Sequence, residues 1–142
     1  MTREAILVPV FLLVALTFAL WVRMTLLRRS YLRRGMLPED YLRTYDTSEL
    51  PADLAATERH FSHLFQLPVL FYATTIILYA ATLVDLTAVV LAWIFAAARY
   101  AQCAVHLTYN NPAHRGVAYS LCWLVILSLW AKLLFWAAFV AV

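Results

Sequence analysis

Four long apolar stretches constrain this 142-residue chain more than any other feature of its sequence. Each reaches the ~20 residues that an α-helix needs to cross a ~30 Å hydrocarbon layer. Hydrophobic residues make up 65% of the chain, against roughly 45–50% in soluble domains, which is more than one water-soluble core can hide. We therefore expect a single all-α domain, residues 1–142, that lies in a lipid bilayer as a four-helix bundle. The predicted spans lie near Ala5–Leu27, Phe61–Val84, Leu86–Leu107 and Gly116–Val140.

The composition argues against a β-barrel, a disulfide framework and a nucleic-acid partner. Only two glycines and five prolines occur, and the alternation of apolar and polar residues that marks a lipid-exposed barrel is not visible. Cys103 and Cys122 both fall inside apolar stretches and are most simply small hydrophobic residues. The net charge of +3 comes from arginines that flank the spans, so it indicates membrane orientation rather than nucleic-acid binding.

Basic residues cluster at one end of the predicted bundle. Of the eleven lysines and arginines, only Arg3 and Lys132 lie towards the other end. The positive-inside rule then places the arginine-rich end in the cytoplasm and both termini outside it. The first span lacks a small-residue cleavage site and should remain as a helix. The absence of a transit-like leader fits a bacterial inner membrane.

One long polar segment, residues 28–58, separates the first two spans and is predicted to be a cytoplasmic loop. A helix should begin near Pro51, a residue type suited to a first helical turn, and run unbroken into the second span. Pro9 and Pro68 lie inside predicted spans, where each should cause a kink or free a backbone carbonyl.

The second and third spans should form an antiparallel hairpin, because only a tight turn around Asp85 joins them. Lys132 lies about 17 residues beyond Arg115, or ~25 Å along a helix axis, which brings it near the outer interface. Asp85 and Lys132 are therefore expected to form a structural ion pair.

Polar residues recur at helical spacing on three of the spans, in the half nearest the cytoplasm. A charged side chain deep in a bilayer costs at least ~2.5–3.5 kcal/mol, so Arg99 should face protein or a water-filled cavity. Arginines that converge at one depth repel each other unless an anion lies among them, which predicts an anionic ligand. The three sets are Arg59, His63 and Gln66; Arg99, Cys103, His106 and Asn110; and Arg115, Tyr119 and Cys122.

Each of these residues also has a structural interpretation. Arg59 and Arg115 could extend to the lipid headgroups, and Arg99 could be a hydrogen-bonding hub that binds carbonyls and a neighbouring carboxylate. His60 and His63, with His106 across the helices, are the residue types of a metal site. Without a carboxylate or thiolate at fixed spacing, no metal is assigned to them.

These features together resemble the MAPEG superfamily, the membrane-associated proteins in eicosanoid and glutathione metabolism. The second helix of that family carries an arginine, an asparagine four residues later, a glutamate three further, then a proline and an apolar run. The same spacing here reads Arg59, His63, Gln66 and Pro68, followed by "VLFYA". A bacterial branch of unassigned function is similar in two runs, which appear here as "HLFQLPVLFY" and "HLTYNNPAHR".

The resemblance implies a homotrimer that binds glutathione in a cytoplasm-facing pocket and transfers it to lipophilic small molecules, or reduces peroxides with it. Arg115 corresponds to the arginine that stabilises the glutathione thiolate. Independently of the resemblance, one four-helix protomer is expected to be too small to shield Arg99 by itself. The residues implied in glutathione binding are Arg59, His63, Gln66, Arg99, Tyr100, His106, Asn110 and Tyr119.

Two residues depart from the family pattern, because His63 replaces the asparagine and Gln66 replaces the glutamate. The loss of that carboxylate leaves the ammonium group of glutathione without an opposite charge. A second hypothesis is therefore a non-catalytic membrane scaffold of the same fold that binds an anionic lipid or a partner membrane complex.

Overall fold

Six α-helices make up most of the part of the chain that the computed structural model describes, which is residues 3–37, 41–44 and 50–139. A short 3₁₀ helix, Arg3–Ile6, precedes the first of them. The helices are α1 (Leu7–Arg33), α2 (Tyr41–Thr44), α3 (Ala52–His63), α4 (Leu67–Ala80), α5 (Leu86–Leu107) and α6 (Pro112–Phe139).

These helices form four segments that are long and apolar enough to cross a membrane, which confirms the prediction of an all-α, four-span protein. At about 1.5 Å per residue, the first and last segments are longer than a ~30 Å hydrocarbon layer requires. Each of these two segments is therefore long enough to extend beyond that layer as helix. The four segments are Arg3–Arg33, Ala52–Ala80, Leu86–Leu107 and Pro112–Phe139.

The helix that begins at Ala52 does not run unbroken into the second span, so that expectation was wrong. The chain leaves the α-helix at residues 64–66, where the N–H groups of Leu64 and Gln66 bond to carbonyls three residues back, at 3.0 and 3.4 Å. Pro68, the second residue of α4, is the cause. Proline has no N–H for the carbonyl four residues earlier, and its ring clashes with that carbonyl.

Pro9 has a milder effect than Pro68. It is the third residue of α1 and is buried there, directly after the 3₁₀ turn. The N–H groups of a first helical turn have no partner within the helix, so a proline at this position removes no hydrogen bond.

The apolar core is built mainly where α5 packs against α6, with α4 on one side. Ala88, Ala92 and Ala96 place small side chains four residues apart on the buried face of α5. Small residues let membrane helices approach closely, and dispersion contacts then stabilise the pair. Phe95 of α5 stacks on Phe71 of α4 with ring centroids 4.3 Å apart and planes within 4° of parallel.

Polar contacts join the arginine-rich end of α1 to α3. Arg28 forms an ion pair with the buried Glu58 at 2.8 Å, and the hydroxyl of Tyr41 donates to the same carboxylate. Burial and this hydrogen bond raise the pKa of Tyr41 to about 12, so the phenol keeps its proton and remains a donor. Nearby, Tyr31 donates to Asp53 at 2.8 Å. The residues predicted to be a loop, 28–58, therefore include the last turns of α1 and the start of α3.

At the opposite end, a five-residue connection, residues 81–85, turns the chain from α4 into α5. Thr82 adopts a positive φ of 58° in this turn. Asp85 caps α5, because its carboxylate accepts a hydrogen bond from the Ala88 N–H at 2.8 Å. The same carboxylate pairs with Lys132 at 2.6 Å, as predicted.

Substitutions of Asp85 should separate its two roles. We expect Asp85→Asn to keep the cap and lower the free energy of unfolding by only a few tenths of a kcal/mol, since the Asp85 side chain is 56% exposed. Asp85→Ala should cost about 1 kcal/mol more, because the cap is lost as well. Thermal unfolding in detergent measures both differences, and equal stability of the two variants would contradict the capping role.

The ion pair should also make the difference between wild type and Asp85→Asn depend on pH. Lys132 and the Ala88 N–H hold the pKa of Asp85 below its usual range. The stabilisation is then complete above the unfolded-state pKa of about 3.9 and disappears as the pH falls through the lower folded-state value.

Candidate functional site

A cavity of about 340 Å³ opens between α3, α5 and α6 at the arginine-rich end of the bundle. It lies beside the break between α3 and α4, since His63, the last residue of α3, is in its wall. The other walls come from the C-terminal half of α5 and the first two turns of α6. The lining residues are His63, Gln102, His106, Pro112, Arg115, Gly116 and Tyr119.

Arg99 lies behind this cavity and is completely buried. Its Nη2 donates to the carbonyl of His63 at 2.7 Å, and its Nη1 donates to Oε1 of Gln102 at 2.6 Å. The helix break before Pro68 leaves the His63 carbonyl without a strong partner within its own helix. This carbonyl accepts the hydrogen bond from Arg99 instead. Arg99 thus fixes two residues of the cavity wall relative to each other.

This burial is complete within one chain. The expectation that a single protomer is too small to shield Arg99 was therefore wrong, and Arg99 supplies no argument for a trimer. The groups around the guanidinium are the His63 carbonyl at the end of α3, Gln102 of α5, and Tyr119 and Cys122 of α6. Arg99 has the hydrogen bonds of a hub, but its acceptors are one carbonyl and one amide oxygen rather than the carbonyls and neighbouring carboxylate that were expected.

Arg115 is the arginine that lines the cavity directly. It lies in the first turn of α6 and is partly exposed. Its Nη1 donates to Oδ1 of Asn110 at 2.5 Å. Asn110 can reach it because the α5–α6 connection turns sharply there, with Asn110 at a φ of +49°, a conformation that asparagine tolerates better than most residues.

Three histidines gather where α3 meets α5. The rings of His60 and His106 are 5.0 Å apart between centroids, and those of His63 and His106 are 6.5 Å apart. His63 is engaged by its neighbour, because its Nδ1 lies 3.2 Å from Oε1 of Gln66. His60 is completely buried with both ring nitrogens unpaired, and the Nε2 atom of His106 is also buried and unpaired. Unpaired polar atoms are unusual in a protein interior, and of these two residues His106 lines the cavity, whereas His60 lies behind it.

The charges around these histidines have one sign. Arg59 and Arg115 act electrostatically on His106, and Arg99 and Arg115 act on His60. Among the described residues, the cavity lining contains no carboxylate. The nearest acidic residue along α3, Glu58, is held by Arg28 and Tyr41 on the side that faces α1. The cavity therefore offers guanidinium and imidazole groups to an anion.

The structure brings together most of the residues that the sequence predicts for the site. His63, His106, Arg115 and Tyr119 line the cavity. The remaining predicted residues lie around it or away from it: Gln66 on His63, Asn110 on Arg115, Arg99 behind the wall and Arg59 on the exposed surface of α3.

Tyr100 is the predicted residue that lies furthest from this arrangement. Its hydroxyl donates to the carbonyl of Leu12 in α1 at 2.8 Å, so within one chain it does not contribute to the cavity. Adjacent residues on a helix point about 100° apart, and Arg99 already occupies the direction that leads to the break.

His60 and Gln102 belong to the site although the sequence analysis did not assign them to it. A signal for both exists, because each lies three residues from a predicted site residue, His63 or Arg99, and so shares its helix face. Within the described ranges, no group of three or more histidine, cysteine, aspartate or glutamate side chains is placed to hold a metal ion.

Comparison with known proteins identifies a family. Residues 6–135, most of the chain, match the model of the MAPEG family. No match was found among curated proteins or among solved structures.

The unpaired nitrogens of His60 lead to a prediction about stability. We expect His60→Leu to raise the free energy of unfolding by about 1 kcal/mol, because a buried group without hydrogen bonds is replaced by an apolar one of similar size. Thermal unfolding in detergent measures the change, with His114→Leu, at an exposed position, as the control. A destabilised His60→Leu protein would instead mean that ordered water satisfies the ring.

Proposed function

The chain belongs to the MAPEG family, and from this membership and its cationic cavity we propose that it binds glutathione and directs the thiol at lipophilic electrophiles. The observation that carries the proposal is the position of Arg115 in a cavity wall that also holds His63 and His106. The lipid bilayer surrounds the apolar helices, and the cavity opens where the polar parts of the chain are concentrated.

Arg115 is proposed to stabilise the thiolate. A thiol with a pKa of ~8.5 is mostly protonated at neutral pH, and a nearby guanidinium favours its anion. Arginine suits this role because it remains charged at all relevant pH values. The hydrogen bond that Arg115 donates to Asn110 holds the Arg115 side chain at the cavity mouth, so part of the ordering cost is met before a ligand arrives.

Of the remaining predicted residues, some are proposed to contact glutathione and others to position the residues that do. We propose that His63 and Tyr119 contact the peptide part of glutathione from the cavity wall, while Arg59 attracts its carboxylates from the surface of α3. Arg99 is enclosed, so it acts on the ligand through His63 and Gln102, which it holds. Gln66 likewise acts by orienting His63.

A separate apolar groove could receive the lipophilic substrate in this proposal. It has a volume of about 630 Å³ and lies between α1 and the region of the α3–α4 break. Aromatic and aliphatic side chains dominate its wall, which suits a ligand that arrives from the bilayer. Its lining residues are Val14, Thr17, Phe18, Trp21, Phe61, Leu64, Phe65, Val69 and Tyr72.

We also propose how the protein is oriented in the membrane and in which oligomeric state it occurs. The arginine-rich end faces the cytoplasm, where glutathione is abundant, and both termini face the other side of a bacterial inner membrane. The homotrimer that the family resemblance implies is part of the proposal as well.

Removal of the Arg115 guanidinium tests the function. We expect millimolar glutathione to raise the melting temperature of the purified protein, and we expect turnover with a chlorodinitrobenzene electrophile to fall about 100-fold in Arg115→Ala, the typical effect of losing one charge-stabilising donor. Arg29→Ala is the matched control, because Arg29 is an exposed arginine at the same end of the bundle on α1. A wild-type protein without a thermal shift and without turnover would refute the proposal.

A second candidate function, a scaffold that binds an anionic phospholipid, is favoured by one observation. Among the described residues, the cavity lining has arginine and histidine but no carboxylate, so it suits the phosphate of a lipid better than the ammonium group of glutathione. A partner membrane complex that docks on the same scaffold belongs to this candidate.

Native mass spectrometry from mild detergent distinguishes the two functions. The scaffold predicts a retained anionic phospholipid or a stoichiometric partner protein, which Arg115→Ala should weaken, together with indifference to glutathione. The enzyme predicts that glutathione binds and that the mass spectrum shows no such lipid. Arg29→Ala should behave like wild type in either case.

A further inference from the structure

The proposed chemistry requires a group that accepts a proton, and Arg115 cannot be that group. When a bound thiol ionises, its proton must leave, whereas arginine stays protonated throughout. The titratable side chains in the cavity wall besides Arg115 are His63, His106 and Tyr119. Tyr119 carries a phenol hydroxyl, which at neutral pH offers a proton rather than taking one.

His106 is the better placed of the two histidines. It is 5% exposed, it lines the cavity, and its Nε2 has no hydrogen-bond partner. His63 is more exposed, and the contact of its Nδ1 with Oε1 of Gln66 at 3.2 Å turns its ring towards the α3–α4 break. His60 is 0% exposed and its ring lies 5.0 Å from that of His106, with the planes tilted by 41°, so it packs against His106 without lining the cavity.

We propose that His106 is the general base of the site and takes the proton of the bound thiol on Nε2. This inference rests on the proposed glutathione function. The S–H bond breaks with its electron pair left on sulfur, and a new N–H bond forms from the Nε2 lone pair. With chlorodinitrobenzene as the electrophile, the thiolate attacks the ring carbon that carries chlorine and a C–S bond forms. The C–Cl bond then breaks, and chloride leaves with the bonding electrons. The imidazolium then gives its proton to water.

The charges around His106 make this transfer depend on the ligand. The groups that face it are Arg59, His60 and His63 from α3 and Arg115 from α6, and Arg99 lies behind on its own helix. Among the described residues, no carboxylate of the cavity wall balances an imidazolium. The positive charge on His106 therefore forms together with the negative charge on sulfur, close to the carboxylates that glutathione brings.

His106→Gln isolates proton acceptance from hydrogen bonding. A glutamine amide reaches about as far as Nε2 and still forms hydrogen bonds, but it does not take a proton at neutral pH. We expect turnover at pH 7 to fall about 100-fold, the range of general-base catalysis, with glutathione affinity changed less than about threefold. The deficit should shrink as the pH approaches ~8.5, where the thiol ionises without help.

Two controls accompany this variant in full-length protein in detergent. His114→Gln changes a histidine that is exposed and paired with Tyr109 at 2.9 Å, outside the cavity lining, and should leave turnover and its pH profile unchanged. His106→Asn carries a shorter side chain with the same amide group and should show the same loss of turnover. It replaces His106→Gln in the test if the glutamine variant does not fold.

Proton release tests the wild-type protein directly. On addition of glutathione at pH 7, the thiolate absorbance near 240 nm should rise without an equivalent release of protons into a weakly buffered indicator solution. Stoichiometric proton release from wild type, or a wild-type pH profile in His106→Gln, would overturn the role of His106 and leave the proposed function standing. No thiolate and no turnover in wild type would remove the proposed function itself.

Discussion

The hydrogen bond from Arg99 to the His63 carbonyl is the interaction on which the polar half of this bundle depends. A buried guanidinium without partners costs several kcal/mol, and so does an unpaired carbonyl at membrane depth. Pro68 creates the second problem by breaking the helix, and the 2.7 Å bond gives the His63 carbonyl and the Nη2 atom of Arg99 a partner, while the buried Nε atom of Arg99 stays unpaired. The same bond holds the end of α3 against α5, and the cavity lies beside that junction.

The distribution of acidic residues explains why this cavity is positive. In the described part of the chain, Glu58 pairs with Arg28, Asp53 accepts from Tyr31, and Asp85 pairs with Lys132. These contacts fasten helices to one another at both ends of the bundle. The arginines near the histidines are thereby left with neutral acceptors, such as the amide oxygens of Gln102 and Asn110. Among the described residues, the carboxylates that fasten helices together thus lie apart from the arginines around the cavity.

Much of the fold follows from the sequence for simple physical reasons. Apolar runs of membrane length require helices, because a backbone in lipid must satisfy its own hydrogen bonds. The Asp85–Lys132 pair was predictable because helix rise converts residue number into depth. The unbroken helix from Ala52 was predicted wrongly, although Pro68 was noticed, because sequence alone does not say whether a proline bends a helix or interrupts it. That choice depends on whether neighbours can satisfy the carbonyls that an interruption exposes, and here Arg99 satisfies that of His63.

By itself, then, the sequence determined the number of spans, their order, the end at which the arginines collect and the family resemblance, since all of these depend on composition and spacing along one chain. Only the tertiary structure decided that Arg99 is a support rather than a cavity residue, that Tyr100 turns to α1, and that His60 and Gln102 join the site. Helical spacing fixes which residues share a face, but the rotation and approach of neighbouring helices decide what that face meets. Those are set by packing, here by the alanine face of α5 and the break before Pro68.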